Sequence, residues 1–234
     1  MADKNAPIGI AIDAMGGDAG PQVVVEGVVR AMRASEQNLD IYLVGDTHRI
    51  ELELGRHGDL PKRPQIEHTT QEIQMEDKAA SSLRRKKDSS IARGLQLQKD
   101  GKAQAFVSAG NTGAVVASSL LALGRLPGVR RPGIATYVPG NNGGYVLLDV
   151  GATKDCKPID LVTFGQMGSV YAERILKRPN PRIGLLNIGE EEGKGNELTR
   201  EAYELFQTAE VNFVGNVESN ALFQRAADVA VCDG

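Results

Sequence analysis

The chain has 234 residues, 41% hydrophobic and 24% charged, with a formal net charge of −3. That is ample for a buried core, and the charge rules out a global field that would call for nucleic acid. The N-terminus has no apolar h-region and no run approaches transmembrane length, so no secretory or membrane-spanning segment is expected and the expected location is cytoplasmic.

In chain order, "IGIAIDA" (8–14) reads as a strand covered on both faces. "AMGGDAGP" follows, with Gly16 and Gly17 flanked by Asp13 and Asp18. A carboxylate there either meets a ligand or caps the next helix. Residues 21–35 carry Val24, Val25, Val28, Val29 and Met32 at helical spacing behind Pro21. Strands are expected at 40–45 and 65–69, with a surface loop at 55–64. The three histidines, His48, His57 and His68, fit no zinc spacing. "SSLRRKKDSSIARG" (81–94) sets Arg84, Arg85, Lys86, Lys87 and Arg93 against Asp88. It reads either as a solvated helix face or as a basic cluster for phosphate or an acidic partner. Ser89 and Ser90 are placed to start a helix over 89–99 and, beside the basic cluster, are candidates to bind phosphate.

"AQAFVSA" (103–109) is the next strand, and "SAGNTG" (108–113) leads from it into an apolar helix over 112–123. Ser108, Gly110, Asn111, Thr112 and Gly113 combine close backbone approach with short hydrogen-bonding side chains at a helix start. That suits an anion, most simply phosphate; the alternative is a capped helix with a structural turn. Neither nucleotide-binding glycine fingerprint is matched. Strands 133–139 and 144–151, separated by "GNNG", read as an antiparallel hairpin. A helix over 158–177, a strand over 182–189, a helix over 196–208 and a strand over 211–216 follow. Between them lies "NIGEEEGKGNE" (187–197). There Asn187 and Glu190 are candidates to face a ligand, with Lys194 neutralising charge; plain exposure is the alternative. The last run, "DVAVCDG" (228–234), looks like a strand with no helix after it, which is expected to leave one sheet face bare. Cys156 and Cys232 read as reduced thiols. The alternation predicts a single three-layer α/β domain with a mainly parallel sheet flanked by helices.

"AIDAMGGDAGP", "RRKKDSS", "SAGNTGA", "LLDVGA", "PNPRIGLLNIGEEEGKG", "GNVESN" and "VCDG" stand in this order over nearly the whole chain. Together they strongly resemble the bacterial phosphate acyltransferases of membrane phospholipid synthesis. The resemblance implies an α/β protein akin to phosphotransacetylases and isopropylmalate-type dehydrogenases. It implies transfer of a long-chain acyl group from acyl carrier protein to inorganic phosphate. The acyl phosphate product would pass to a glycerol-3-phosphate acyltransferase and on to phosphatidic acid. It also implies a homodimer that touches the membrane surface peripherally and uses no cofactor or metal. Family members continue past the match to Cys232-Asp233-Gly234, so the chain is expected to be incomplete and poorly active alone. Near Asp77 the family tends to have a Pro where this chain reads "EDKAASS".

The residue chemistry fits that reaction without a histidine. Phosphate needs no strong base, and a thiol of pKa near 8.5 is a fair leaving group. Asn111, Asn187 and Glu190 are the catalytic candidates. Phosphate is expected at Ser108–Gly113 with help from Lys86 or Lys87, and Asn111→Ala is expected to damage kinetics with little loss of stability. The rivals are an isopropylmalate-type dehydrogenase and a non-catalytic phosphate- or carrier-binding module.

Overall fold

The computed structural model describes residues 6–141 and 143–234; residues 1–5 and Asn142, in the expected hairpin turn, lie outside the described residues. The chain divides into two compact units, Met1–Gly124 and Arg125–Gly234.

The first unit holds β1 (Ile8–Asp13), α1 (Gln22–Ala34), β2 (Leu39–Gly45), α2 (Thr47–Leu54), β3 (Gln65–His68), α3 (Ala79–Arg85), α4 (Ser90–Lys99), β4 (Ala105–Val107) and α5 (Thr112–Ala122). Its four strands run parallel in the order β3-β2-β1-β4. Successive β1 residues are apolar because both faces are covered. Ile10 and Ile12 meet the α1 and α2 side, where Val25, Val28, Val29, Met32 and Ile50 are buried. Ala11 packs with Leu97 of α4 on the other side. The register Asp13↔Val44 and Ile12↔Val107 brings the carboxyl ends of β1, β2 and β4 to one edge.

Helix α2 was not anticipated from the sequence. Asp46 caps it, accepting from the Arg49 amide at 2.8 Å, and Ile50 and Leu54 supply a short apolar stripe. The basic run is also broken where a single helix face was one reading. α3 ends at Arg85, and Ser89 caps a new helix by accepting from the Ala92 amide at 3.3 Å.

The second unit holds β5 (Ala135–Val138), β6 (Tyr145–Leu148), α6 (Pro158–Arg174), β7 (Arg182–Leu186), α7 (Glu197–Phe206), β8 (Asn212–Val217), α8 (Ser219–Leu222) and β9 (Val229–Val231), with strand order β5-β6-β9-β7-β8. β5 and β6 form the expected antiparallel pair; the remaining neighbours are parallel. The expectation of a bare face at the last strand does not hold. β9 is inserted at the centre of the sheet. Val229 and Val231 pack in the core that contains Leu161 and Phe164 of α6, and Ala230 packs with Leu222 of α8 on the opposite face. All three β9 residues are fully buried.

The α6–α7 core is tight enough to dictate a glycine. A Cβ on Gly165 would stand 2.6 Å from Cε1 of Phe206, whose ring stacks on Phe213 at 4.7 Å and is held in place. Gly165→Ala gains about 1 kcal/mol of helix propensity but overpacks a closed core, which costs roughly 1–3 kcal/mol. The expected outcome is a lower melting temperature; a higher one would show that Phe206 has room to move.

Candidate functional site

In the first unit, the carboxyl ends of the neighbouring strands β1 and β4 present a short relay. Asp13 is 2% exposed. Its Oδ1 accepts from the Met15 amide at 3.1 Å, and its Oδ2 accepts from the Ser108 hydroxyl at 2.7 Å. Ser108 Oγ in turn accepts from the Gly110 amide at 3.0 Å. Asp13 therefore positions the turn that delivers α5. Gly16 closes against it: a Cβ there would stand 2.6 Å from Asp13 Oδ2 and 2.8 Å from the Gly110 amide nitrogen. Gly17 lies beside Ala109.

Asn111 is the N-cap of α5. Its Oδ1 accepts from the Ala114 amide at 2.9 Å. Its Nδ2 donates to the carbonyls of Met75 at 2.8 Å, Asp77 at 3.0 Å and Gln74 at 3.3 Å. One side chain thus caps the helix and clamps the 74–77 loop to it. The Ala114 amide is taken by this cap and the Val115 amide by the Asn111 carbonyl. The amides of Thr112 and Gly113, both on exposed residues, have no acceptor within the helix. Two free N–H groups at the positive end of a helix dipole, behind a rigid turn, suit an anion.

The basic residues divide. Lys86, the residue after α3, pairs with Asp77 at 2.5 Å. The ammonium holds the Asp77 carboxyl below the usual carboxylate range. Because the Asp77 carbonyl is bonded to Asn111, Lys86 is tied indirectly to the α5 start, with its charge already opposed. Lys87 is exposed. Ser89 and Ser90 are buried, at 0% and 2% exposure. The expectation that they offer hydroxyls to a ligand does not fit this burial: Ser89 serves α4 as its cap.

In the second unit, Asn187 follows β7. Its Nδ2 donates to the Lys194 carbonyl at 3.0 Å, and its Oδ1 accepts from the Ile188 amide at 2.8 Å. It braces the 188–194 loop, on which Glu190 is exposed and Lys194 lies 3.9 Å from Glu191. Asn216, absent from the sequence candidates, donates to the Glu191 carbonyl at 2.8 Å and holds the same loop from β8.

Asp149 was likewise overlooked. It is 1% exposed and accepts from four backbone amides: Ile134, Gly151 and Ala152 on Oδ1, and Thr153 on Oδ2. The signal was the Asp-x-Gly turn in "LLDVGA", placed like Asp13 at the carboxyl end of a strand. Cys232 donates to the Asp149 carbonyl at 3.1 Å. Burial pushes the Cys232 thiol up to about 11 and raises Cys156 too, so neither is a thiolate nucleophile near neutrality. Among the described residues no helix is long and apolar enough to cross a membrane.

The fold matches a phosphotransacetylase from Streptococcus pyogenes with a TM-score of 0.68 at 18% identity, over 97% of this chain and 77% of that one. A phosphotransacetylase from Staphylococcus aureus matches with a TM-score of 0.64 at 17% identity, over 96% and 77%. The three-layer α/β expectation is thereby met. In sequence, the chain is 51% identical over 227 residues to a phosphate acyltransferase of Desulfitobacterium hafniense, covering 96% of this chain and 67% of the relative. It is 50% identical over 226 residues to one of Nitratidesulfovibrio vulgaris, covering 96% and 65%. The chain thus spans about two thirds of the length of these relatives. The family described as fatty acid synthesis protein matches residues 8–234. With the match running through both units and half of its residues shared with these relatives, the chain belongs to the fatty acid synthesis protein family.

Proposed function

We propose that the protein transfers a long-chain acyl group from acyl carrier protein to inorganic phosphate, giving acyl phosphate for phosphatidic acid synthesis. The observation that carries the reading is the 51% identity to a phosphate acyltransferase over 96% of the chain. The geometry supports it from below. Phosphate binds at the start of α5, its oxygens accepting from the Thr112 and Gly113 amides. Asp13 and Ser108 hold the preceding turn, and Asn111 holds the helix end. This set binds and orients an anion without a metal or a base.

Chemistry then proceeds by addition and elimination. A phosphate oxygen attacks the thioester carbonyl carbon. The carbonyl electrons move to oxygen, and the tetrahedral oxyanion collapses with loss of the carrier's thiolate, which takes a proton from water. The protein's share is proximity and a fixed electrostatic environment. Asn187 and Glu190, on the second unit's loop, are assigned to substrate orientation, with Lys194 balancing the negative charge of Glu190.

The same reading includes a homodimer and peripheral contact with the membrane that the downstream glycerol-3-phosphate acyltransferase occupies. Its support is the apolar face of α6. Val170, Tyr171 and Ile175 line a depression of about 630 Å³ with Leu126, and Val170, Ile175 and Leu126 are 58%, 61% and 71% exposed. Exposed apolar patches of this kind mark association surfaces.

The test is turnover. Acyl carrier protein loaded with a long-chain acyl group should release free thiol only when phosphate is added, and the product should have the mass of acyl phosphate. Thiol release without phosphate, or none with it, would overturn the reading.

A further inference from the structure

We propose that the groove between α4 and α5 is a docking surface for the acidic face of a carrier protein. The proposal rests on the acyl-transfer reading above. The groove is about 320 Å³ and is lined from both helices, with Lys99 and Gln96 of α4, Ser118 and Leu121 of α5, and Lys87 just before α4. Three observations converge on it.

The first is charge. Arg93, also in the groove, is paired with Glu67. Among the described residues Lys87 and Lys99 have no carboxylate partner. The carboxylates nearby are occupied: Asp88 by the Thr70 hydroxyl and amide, Asp100 by the Gln96 amide group. Lys87 and Lys99 stand at opposite ends of α4, about 15 Å apart along its axis. That spacing suits a row of acidic side chains better than one small anion.

The second is unsatisfied surface. α5 is apolar all round, yet only Ala114 and Ser118 are buried, and Leu121 is 74% exposed. A helix apolar on every side normally lies inside a protein or against a partner. Ser118, 4% exposed, lines the floor of the groove between the two helices.

The third is continuity with the anion end. Leu121 lies nine residues beyond Thr112, about 14 Å along the axis of α5. A carrier seated on the groove would have its flexible thioester-bearing arm span the length of one helix to reach the Thr112 and Gly113 amides. Cationic rim, apolar centre and reach together fit an acidic, helical carrier surface. Such complementarity acts chiefly on association.

Lys99→Glu and Leu121→Glu test this, since both sites are exposed and outside the anion-binding turn. Lys154→Glu, exposed in the second unit, is the control. At low salt each test variant should raise the KM for acyl carrier protein about tenfold. The kcat and the KM for an acyl-pantetheine thioester should stay as in the unaltered chain. An unchanged carrier KM, or an equal rise for both donors, would overturn the docking surface. Binding of unloaded carrier protein, read by fluorescence anisotropy, needs no turnover. If the unaltered chain binds carrier and the variants bind it weakly, the surface stands even where acyl transfer fails. If the variants bind as well as the unaltered chain, or the unaltered chain does not bind, the surface is refuted.

Discussion

Replacing Asn111 by Ala is expected to lower stability by roughly 2–4 kcal/mol and to weaken phosphate binding together with it. An N-cap is worth about 0.5–2 kcal/mol, and a partly buried polar group left without its partner costs about 1–3 kcal/mol. Asn111 fills both roles, capping α5 through the Ala114 amide and holding three carbonyls of the 74–77 loop. The expectation from sequence, damaged kinetics with little loss of stability, considered only the helix start and not the loop it clamps. Asn111→Asp separates the two roles. It keeps an acceptor for Ala114 but turns a carboxylate oxygen toward the loop carbonyls. It should retain part of the stability while releasing the loop, along with Lys86, which is paired to Asp77. Urea midpoints and phosphate KM for the two variants check this. Wild-type stability in Asn111→Ala would show that the clamp contributes nothing.

Asp228→Ala is expected to cost about 3 kcal/mol in the second unit. The carboxylate, 4% exposed, accepts from the Arg182 amide at 3.0 Å and its guanidinium at 3.2 Å, and from Arg225 at 2.9 Å; Arg178 stands 3.6 Å away. Removing one partner of a buried ion cluster costs about 3–5 kcal/mol because the remaining charges stay desolvated. The lower end applies because Arg182 and Arg225 are 40% and 39% exposed and regain water. Burial works to raise the Asp228 pKa, but the Arg182 amide and the Arg225 and Arg182 guanidinium groups outweigh it, and the folded value falls below 3.8. A carboxyl depressed on folding adds stability that is full above its unfolded pKa and is lost as pH falls through the folded one. The difference between wild type and Asp228→Asn should therefore be constant near neutrality and shrink only as pH drops below 3.8. A difference that shrinks between pH 8 and 5 would contradict this assignment.

The sequence made the local code plain. Among the described residues, each of the nine strands and the five longest helices shows as apolar runs and helical spacing, because these patterns are set by near neighbours. α2 escaped because eight residues give barely two turns of periodicity, and its "THRIELEL" has only a narrow apolar stripe. The central position of β9 escaped for another reason. Strand order depends on pairing across the chain, Val146↔Val229 and Ile183↔Val229, and no local pattern encodes it. The site divides in the same way. Ser108 to Gly113 read as a turn into a helix, and they are one. The partners that give the turn its rigidity, Asp13 from 95 residues away and the carbonyls of Gln74, Met75 and Asp77, meet it only in the folded unit. Ser89 and Ser90 looked like ligand groups because a helix cap and an anion site draw on the same residue types; only burial separates them.

The position of bound phosphate decides whether the start of α5 is the anion site. A crystal of the full chain grown in phosphate tests this directly. The anion should lie at the start of α5, within hydrogen-bond distance of the Thr112 and Gly113 amides. Thr112→Pro, which removes one of those donors at a position where proline suits a helix, should empty the site while the fold stays intact. Phosphate bound elsewhere, with these two amides facing only water, would contradict it.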